Sequence, residues 1–129
     1  MKKAIVEQHR VLESLFAESE AALAGTGAEA MAEALGALRE TLEAHFELED
    51  TLYHPPIRTL RPQHAPTLRS IAEGHGRFIT QLTEILGRVT EGAFPEARRG
   101  FEELSREFAA HEAVEEDLMR TIEVEAHGA

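Results

Sequence analysis

The sequence predicts an all-α protein, an antiparallel up-down-up-down four-helix bundle with an internal two-fold helical-hairpin repeat. Three observations lead there. Ala, Leu, Glu and Arg dominate while β-branched residues are few, which favours helix throughout. Clusters of glycine and proline cut the chain into four long segments. Each segment carries an apolar stripe at helical spacing.

The first helix is expected over roughly 2–24, with Ile5, Leu12, Phe16 and Leu23 on one face, ending at Gly25-Thr26-Gly27. The second is expected over roughly 28–53, with Leu35, Leu38, Leu42 and Leu52 on its stripe. A break runs from His54-Pro55-Pro56 through Pro62 to His64. Proline suits a first helical turn but cannot continue a helix, so Pro66 and Pro95 mark helix starts. The third helix then covers roughly 66–91, with Leu68, Ile71, Phe78, Leu82, Leu86 and Val89 facing inward. After Gly92-Ala93-Phe94 the fourth runs over roughly 95–125, with Phe101, Leu104, Phe108, Leu118 and Ile122 inward. Short links between helices of this length favour sequential antiparallel packing.

A chain of 129 residues reads as a single domain, 1–129, with room for one real core. The absence of cysteine excludes disulfides, thiolate metal sites and thiol catalysis. A net charge of −11 repels phosphate backbones, so nucleic acid is not an expected partner. The opening residues break into charge too early for a signal peptide, and no apolar run is long enough to span a bilayer. A cytoplasmic protein without a membrane partner is the expectation.

The two halves repeat. A shift of 66 overlays His9 on His75, His45 on His111 and Glu49 on Glu115. The same shift brings Ile5 onto Ile71, Leu38 onto Leu104 and Leu42 onto Phe108. Apolar matches alone arise between any two amphipathic hairpins. Polar residues in register on apolar stripes are harder to attribute to chance.

With each histidine at zero and 100° per residue, Glu49 lies at about +40°, between Leu38 at about +20° and Leu42 at about +60°. His111 and Glu115 sit the same way among Leu104, Phe108 and Ile122. His9 and His75 fall within their own arcs. Four imidazoles and two carboxylates therefore point into the bundle. A lone core histidine is usually just hydrogen-bonded, and a lone glutamate usually snorkels to water. Two buried carboxylates with no Lys or Arg on the stripes are costly unless cations compensate them. Imidazole with carboxylate suits iron, manganese or zinc. In His-x-x-x-Glu the two side chains share a face one turn apart, so the imidazole can bind one metal while the carboxylate bridges to a second.

His9, His45-Phe46-Glu47-Leu48-Glu49, His75 and His111-Glu112-Ala113-Val114-Glu115 resemble the hemerythrin-like, or HHE cation-binding, family, over essentially the whole chain. The resemblance implies two non-haem iron ions joined by an oxo or hydroxo bridge, with manganese or zinc as the lesser alternatives. His9, His45, His75 and His111 would be terminal ligands, and Glu49 and Glu115 would bridge. A ferritin-like site fits worse: Glu-x-x-His is missing, with Leu42 and Phe108 three residues before the two histidines. The zinc-protease pattern His-Glu-x-x-His is also missing.

One departure bears on function. Oxygen-carrying hemerythrins place a second histidine on the third helix, where this chain has Ile79. Four imidazoles, two bridging carboxylates and one bridging oxygen fill ten of the twelve positions of two octahedral irons. Tyr53, about +80° from His45, is a candidate for a further ligand, with Glu112 and Glu13 behind it. Glu116, at about +140° from His111, lies off the stripe. His54, His64 and His127 are expected at the surface. The site is expected to act on a small molecule, O2, peroxide or NO, by redox turnover. The alternatives are reversible O2 binding or storage, and iron sensing or storage without catalysis. A protein partner is not specified by the sequence.

Overall fold

The computed structural model describes residues 2–128, and every regular element among them is helical. Four long helices carry the fold: α1 (Lys2–Ala24), α2 (Ala28–Leu48), α4 (Ala65–Thr90) and α5 (Phe94–Gly128). Between α2 and α4 lie a π-helical turn (Glu49–Tyr53), the short α3 (His54–Leu60) and a 3-10 turn (Pro62–His64). α1 packs on α2 and α5, α2 on α4, and α4 on α5, so the long helices close a ring around one interior.

The connections follow from local chemistry. Gly92, with φ of 77°, ends α4 in the left-handed conformation that glycine adopts without cost. The Ala93 amide then bonds to the Arg88 carbonyl and the Gly92 amide to that of Val89, the pattern of a Schellman cap. Pro95 sits in the first turn of α5, where its missing N–H costs nothing. At the end of α1, the Arg98 guanidinium donates to the carbonyls of Leu23 and Gly25, which the helix leaves unpaired.

The interior is two apolar clusters with a polar layer between them. The larger gathers Leu35, Leu38, Leu42, Phe78, Leu82 and Leu104, all fully buried, with their neighbours. The smaller contains Ile5, Ile57, Leu68, Ile71, Leu118 and Met119. Burying each such side chain contributes about 1.5–3 kcal/mol. His9, His45, Glu49, His75, His111 and Glu115 lie along the helices between the two groups.

Two expectations fail at the end of α2. Leu52, placed on the inward stripe, is 57 % exposed, and His54, placed at the surface, is 1 % exposed. One cause serves both. The His54 amide bonds to the Glu49 carbonyl, five residues back, which widens the helix by one residue. A one-residue insertion rotates the residues beyond it by about 100°, which swings Leu52 outward and brings His54 from the far side to the edge of the buried arc. Pro55 and Pro56 supply the reason. In a continued α-helix, the Pro55 ring would press on the carbonyl four residues back. The Thr51 hydroxyl adds a bond to the Glu47 carbonyl, a contact that bends helices. The expected break is thus largely helical, with both prolines in the first turn of α3. α5 also continues to Gly128, so exposed His127 lies in its last turn.

Candidate metal centre

All four long helices and the π-turn contribute to the ligand set selected from the sequence. α1 supplies His9, α2 His45, the π-turn Glu49, α4 His75, and α5 both His111 and Glu115. His9, His45 and His75 are 5 % exposed or less and the two glutamates are fully buried, while His111 is half-buried.

The donor atoms fall into two sets. One atom each from His9, His45, Glu49 and Glu115 lies within 4.8 Å of the others, and the same holds for Glu49, His75 and His111. Glu49 belongs to both. Its Oε1 is 3.3 Å from His45 Nε2 and 3.2 Å from His75 Nε2. Glu115 is gripped at both ends: His9 Nε2 donates to Oε1 at 2.8 Å and His54 Nε2 to Oε2 at 2.9 Å.

The outward ring nitrogens are held by other side chains. His45 Nδ1 donates to Gln8 Oε1 at 2.6 Å, and His75 Nδ1 to Asp50 Oδ1 at 3.1 Å. His9 Nδ1 faces Glu116 at 3.3 Å and Glu112 at 3.6 Å. Such contacts select the tautomer that aims Nε2 inward and hold the ring in place. Phe46 stacks on His75 with centroids 4.0 Å apart. Gly74 makes room for His111: a Cβ there would meet its Nδ1 at 3.1 Å.

Burial governs the protonation states. It pushes His45 and His111 down to about 4 and lowers His75, so these rings are neutral and keep a lone pair to give to a metal. For His9 burial acts in the same direction, but the hydrogen bond to Glu115 and the charge of Glu112 outweigh it and raise the ring. Burial, with Glu115 close by, pushes Glu49 up to about 11. Glu115 goes the other way, because hydrogen bonds from His54 and His9 overcome its burial. Burial also raises Glu112 to about 7.

The remaining candidates separate clearly. Tyr53 is half-buried beside the smaller apolar cluster, and its hydroxyl accepts a hydrogen bond from Gln8 Nε2 at 3.0 Å. Glu112 is buried but lies on the Nδ1 side of His9, and Glu13 is exposed. His64 is half-buried and pairs with Glu125 at 2.9 Å. The surface placement of His54 is corrected by its contacts to Glu115 and, at 3.8 Å, to Glu49. The one sequence signal for His54 is the double proline that forces the widened turn. Gln8 and Asp50 had no signal, because partners of the outer nitrogens need not lie on an apolar stripe.

Fold and site define a helical-bundle protein with a buried imidazole–carboxylate centre for cations. The chain belongs to the hemerythrin HHE cation-binding family, whose domain matches residues 1–121. Searches among curated proteins and among solved structures found no match. The residues fit a metal. Both oxygens of Glu49 and the Nε2 atoms of His75 and His111 are buried without a hydrogen-bond partner. Buried polar atoms left so are rare in proteins, and converging lone pairs of this kind are what a cation satisfies. No helix among the described residues is long and apolar enough to cross a membrane.

Proposed function

We propose that this protein holds a non-haem di-iron centre and uses it for redox chemistry on a small oxidant: O2, hydrogen peroxide or NO. The observation that carries this reading is the double membership of Glu49, whose buried, otherwise unpartnered carboxylate serves both donor sets. A carboxylate so placed is suited to bridge two cations. Glu115, in the first set and with its second oxygen facing His54, would be the second bridge. His9 and His45 would hold one ion, His75 and His111 the other. Two iron ions would supply one-electron steps and Lewis acidity toward such an oxidant.

The protein around them does three things. Gln8 and Asp50 keep the Nδ1 protons of His45 and His75 in place and so leave Nε2 of those rings for a metal, while Glu116 holds the outer nitrogen of His9. The apolar clusters above and below exclude water from the layer. A groove of about 580 Å³ lined by Phe46, Asp50, His75, Gly76 and Ile79 brings solvent to the edge of the centre. His75 reaches both the groove and the donor set, and Asp50 holds its outer proton there. Only His75 of the ligands lines that groove, so the route suits a molecule of a few atoms.

Our reading of the fold is an antiparallel up-down-up-down bundle of two related hairpins, working in the cytoplasm. It is supported by contacts between opposite ends: Gln8 near the start of α1 meets His45 near the end of α2, and Arg98 near the start of α5 meets the end of α1. Equivalent positions of the repeat share burial, as with Leu38 and Leu104.

Metal analysis tests the centre: two irons per chain are expected, and one zinc would overturn it. Mixing the reduced, iron-loaded protein with O2 tests the chemistry. Irreversible oxidation followed by turnover of peroxide or NO is expected. O2 uptake that reverses under vacuum would make the protein a carrier. Neither behaviour, with folding that depends on metal, would make it an iron sensor or store.

A further inference from the structure

The two donor sets are unequal. His9, His45, Glu49 and Glu115 form a set of four, while Glu49, His75 and His111 form a set of three. Glu115 reaches His9 through Oε1, which leaves Oε2 to another partner, and His54 Nε2 stands 2.9 Å from that oxygen. The same nitrogen is 3.8 Å from Glu49 Oε2, and the ring lies beside His75, centroid to centroid 6.4 Å. His54 thus faces both bridging carboxylates at the oxygens that the first set does not use.

The backbone supports a role for this side chain. A π-turn costs regular helical bonding and is often found at functional sites. Here its effect is to bring His54 into the interior, where the ring is 1 % exposed. Its Nδ1 is buried without a hydrogen-bond partner, so the polar contacts of the ring rest on Nε2 alone.

We propose that His54 is a fifth imidazole ligand of the centre, binding through Nε2 on the side held by Glu49, His75 and His111. This rests on the di-iron reading above. It would raise the count from ten filled positions to eleven of twelve. Ile79 leaves the third helix one imidazole short of an oxygen carrier, and His54 restores the number from a different helix.

The test uses the full chain loaded with ferrous iron and then oxidised. Iron content of the wild type comes first. If it is not two per chain, the di-iron reading fails and the assignment of His54 falls with it. With two irons bound, X-ray absorption is expected to count five imidazoles per pair in the wild type and four in His54→Gln. Glutamine can still donate to Glu115 but is a poor ligand. His54→Gln is therefore expected to lose one iron roughly ten- to a hundred-fold more readily to a chelator, and to shift the visible spectrum. His54→Gly with added imidazole is expected to recover the wild-type spectrum. A His54→Gln protein with two irons, the wild-type spectrum and wild-type iron retention would overturn the proposal and leave His54 as a holder of Glu115. If the glutamine variant does not fold, the imidazole count in the wild type decides alone: four overturns the proposal.

Discussion

The amide of His54 bonds to the carbonyl of Glu49, and the side chains of the same two residues meet over the bundle interior at 3.8 Å. One widened turn therefore sets two features together. It ends the α2 stripe at a buried carboxylate and brings in a histidine that regular helical phase would turn away. It also separates His54 from Tyr53, whose hydroxyl is engaged by Gln8.

Metal removal should destabilise the fold. A cation bound only by the folded chain stabilises it by about 4 kcal/mol at a thousand times its dissociation constant. Chelation is expected to lower the melting temperature by on the order of 10 °C. Identical melts with and without chelator would mean that the layer is not a metal site.

The pH response of the chelated protein should reveal Glu49. Its folded-state pKa is raised from the ordinary 4.5 to about 11. Below the unfolded value the group is protonated in both states and costs nothing. As pH rises above that value only the unfolded chain ionises, so stability falls, by up to about 1.4 kcal/mol per pH unit. His45 and His111 work in the opposite sense, but their contribution levels off above the ordinary histidine pKa of 6.5, and the raised His9 is common to both proteins compared. Between about pH 6.5 and 8, urea unfolding should show the wild type weakening relative to Glu49→Gln. Parallel profiles would show that Glu49 is not held protonated. After iron loading the order should reverse, because the amide is a poor bridge.

Two glycines on α4 should respond in opposite ways. In Gly74→Ala the new methyl would meet His111 Nδ1 at 3.1 Å and Cε1 at 3.3 Å and displace the ring. Iron affinity is expected to fall about ten-fold or more. Gly76 has nothing within 4 Å of its added Cβ, so Gly76→Ala should leave affinity unchanged and stabilise the helix by about 0.5–1 kcal/mol. Metal titration and thermal melts of both variants read the contrast. Equal affinity in the two would show that the His111 ring has room to move.

Tyr53 is expected to act through Gln8, whose amide joins its hydroxyl to His45 Nδ1. The oxidised, iron-loaded wild type and Tyr53→Phe should then have superimposable visible spectra. A purple-to-blue band present in the wild type and lost in the variant would make Tyr53 a ligand instead.

Local pattern was enough for much of this protein. The four helical segments, their glycine and proline boundaries and most inward stripes follow from periodicity and turn chemistry. So does the choice of His9, His45, Glu49, His75, His111 and Glu115, since a polar residue on an apolar stripe shows at single-helix level. The tertiary structure decided what depends on phase and on neighbours. Regular phase cannot anticipate a π-turn, whose inserted residue turned Leu52 out and His54 in. The division of the donors into two sets sharing Glu49, and the protonation imposed by burial, required four helices to be placed against one another. Gln8 and Asp50 became visible only then, because a partner for an outer ring nitrogen is chosen by distance across helices and leaves no mark on the periodicity of its own.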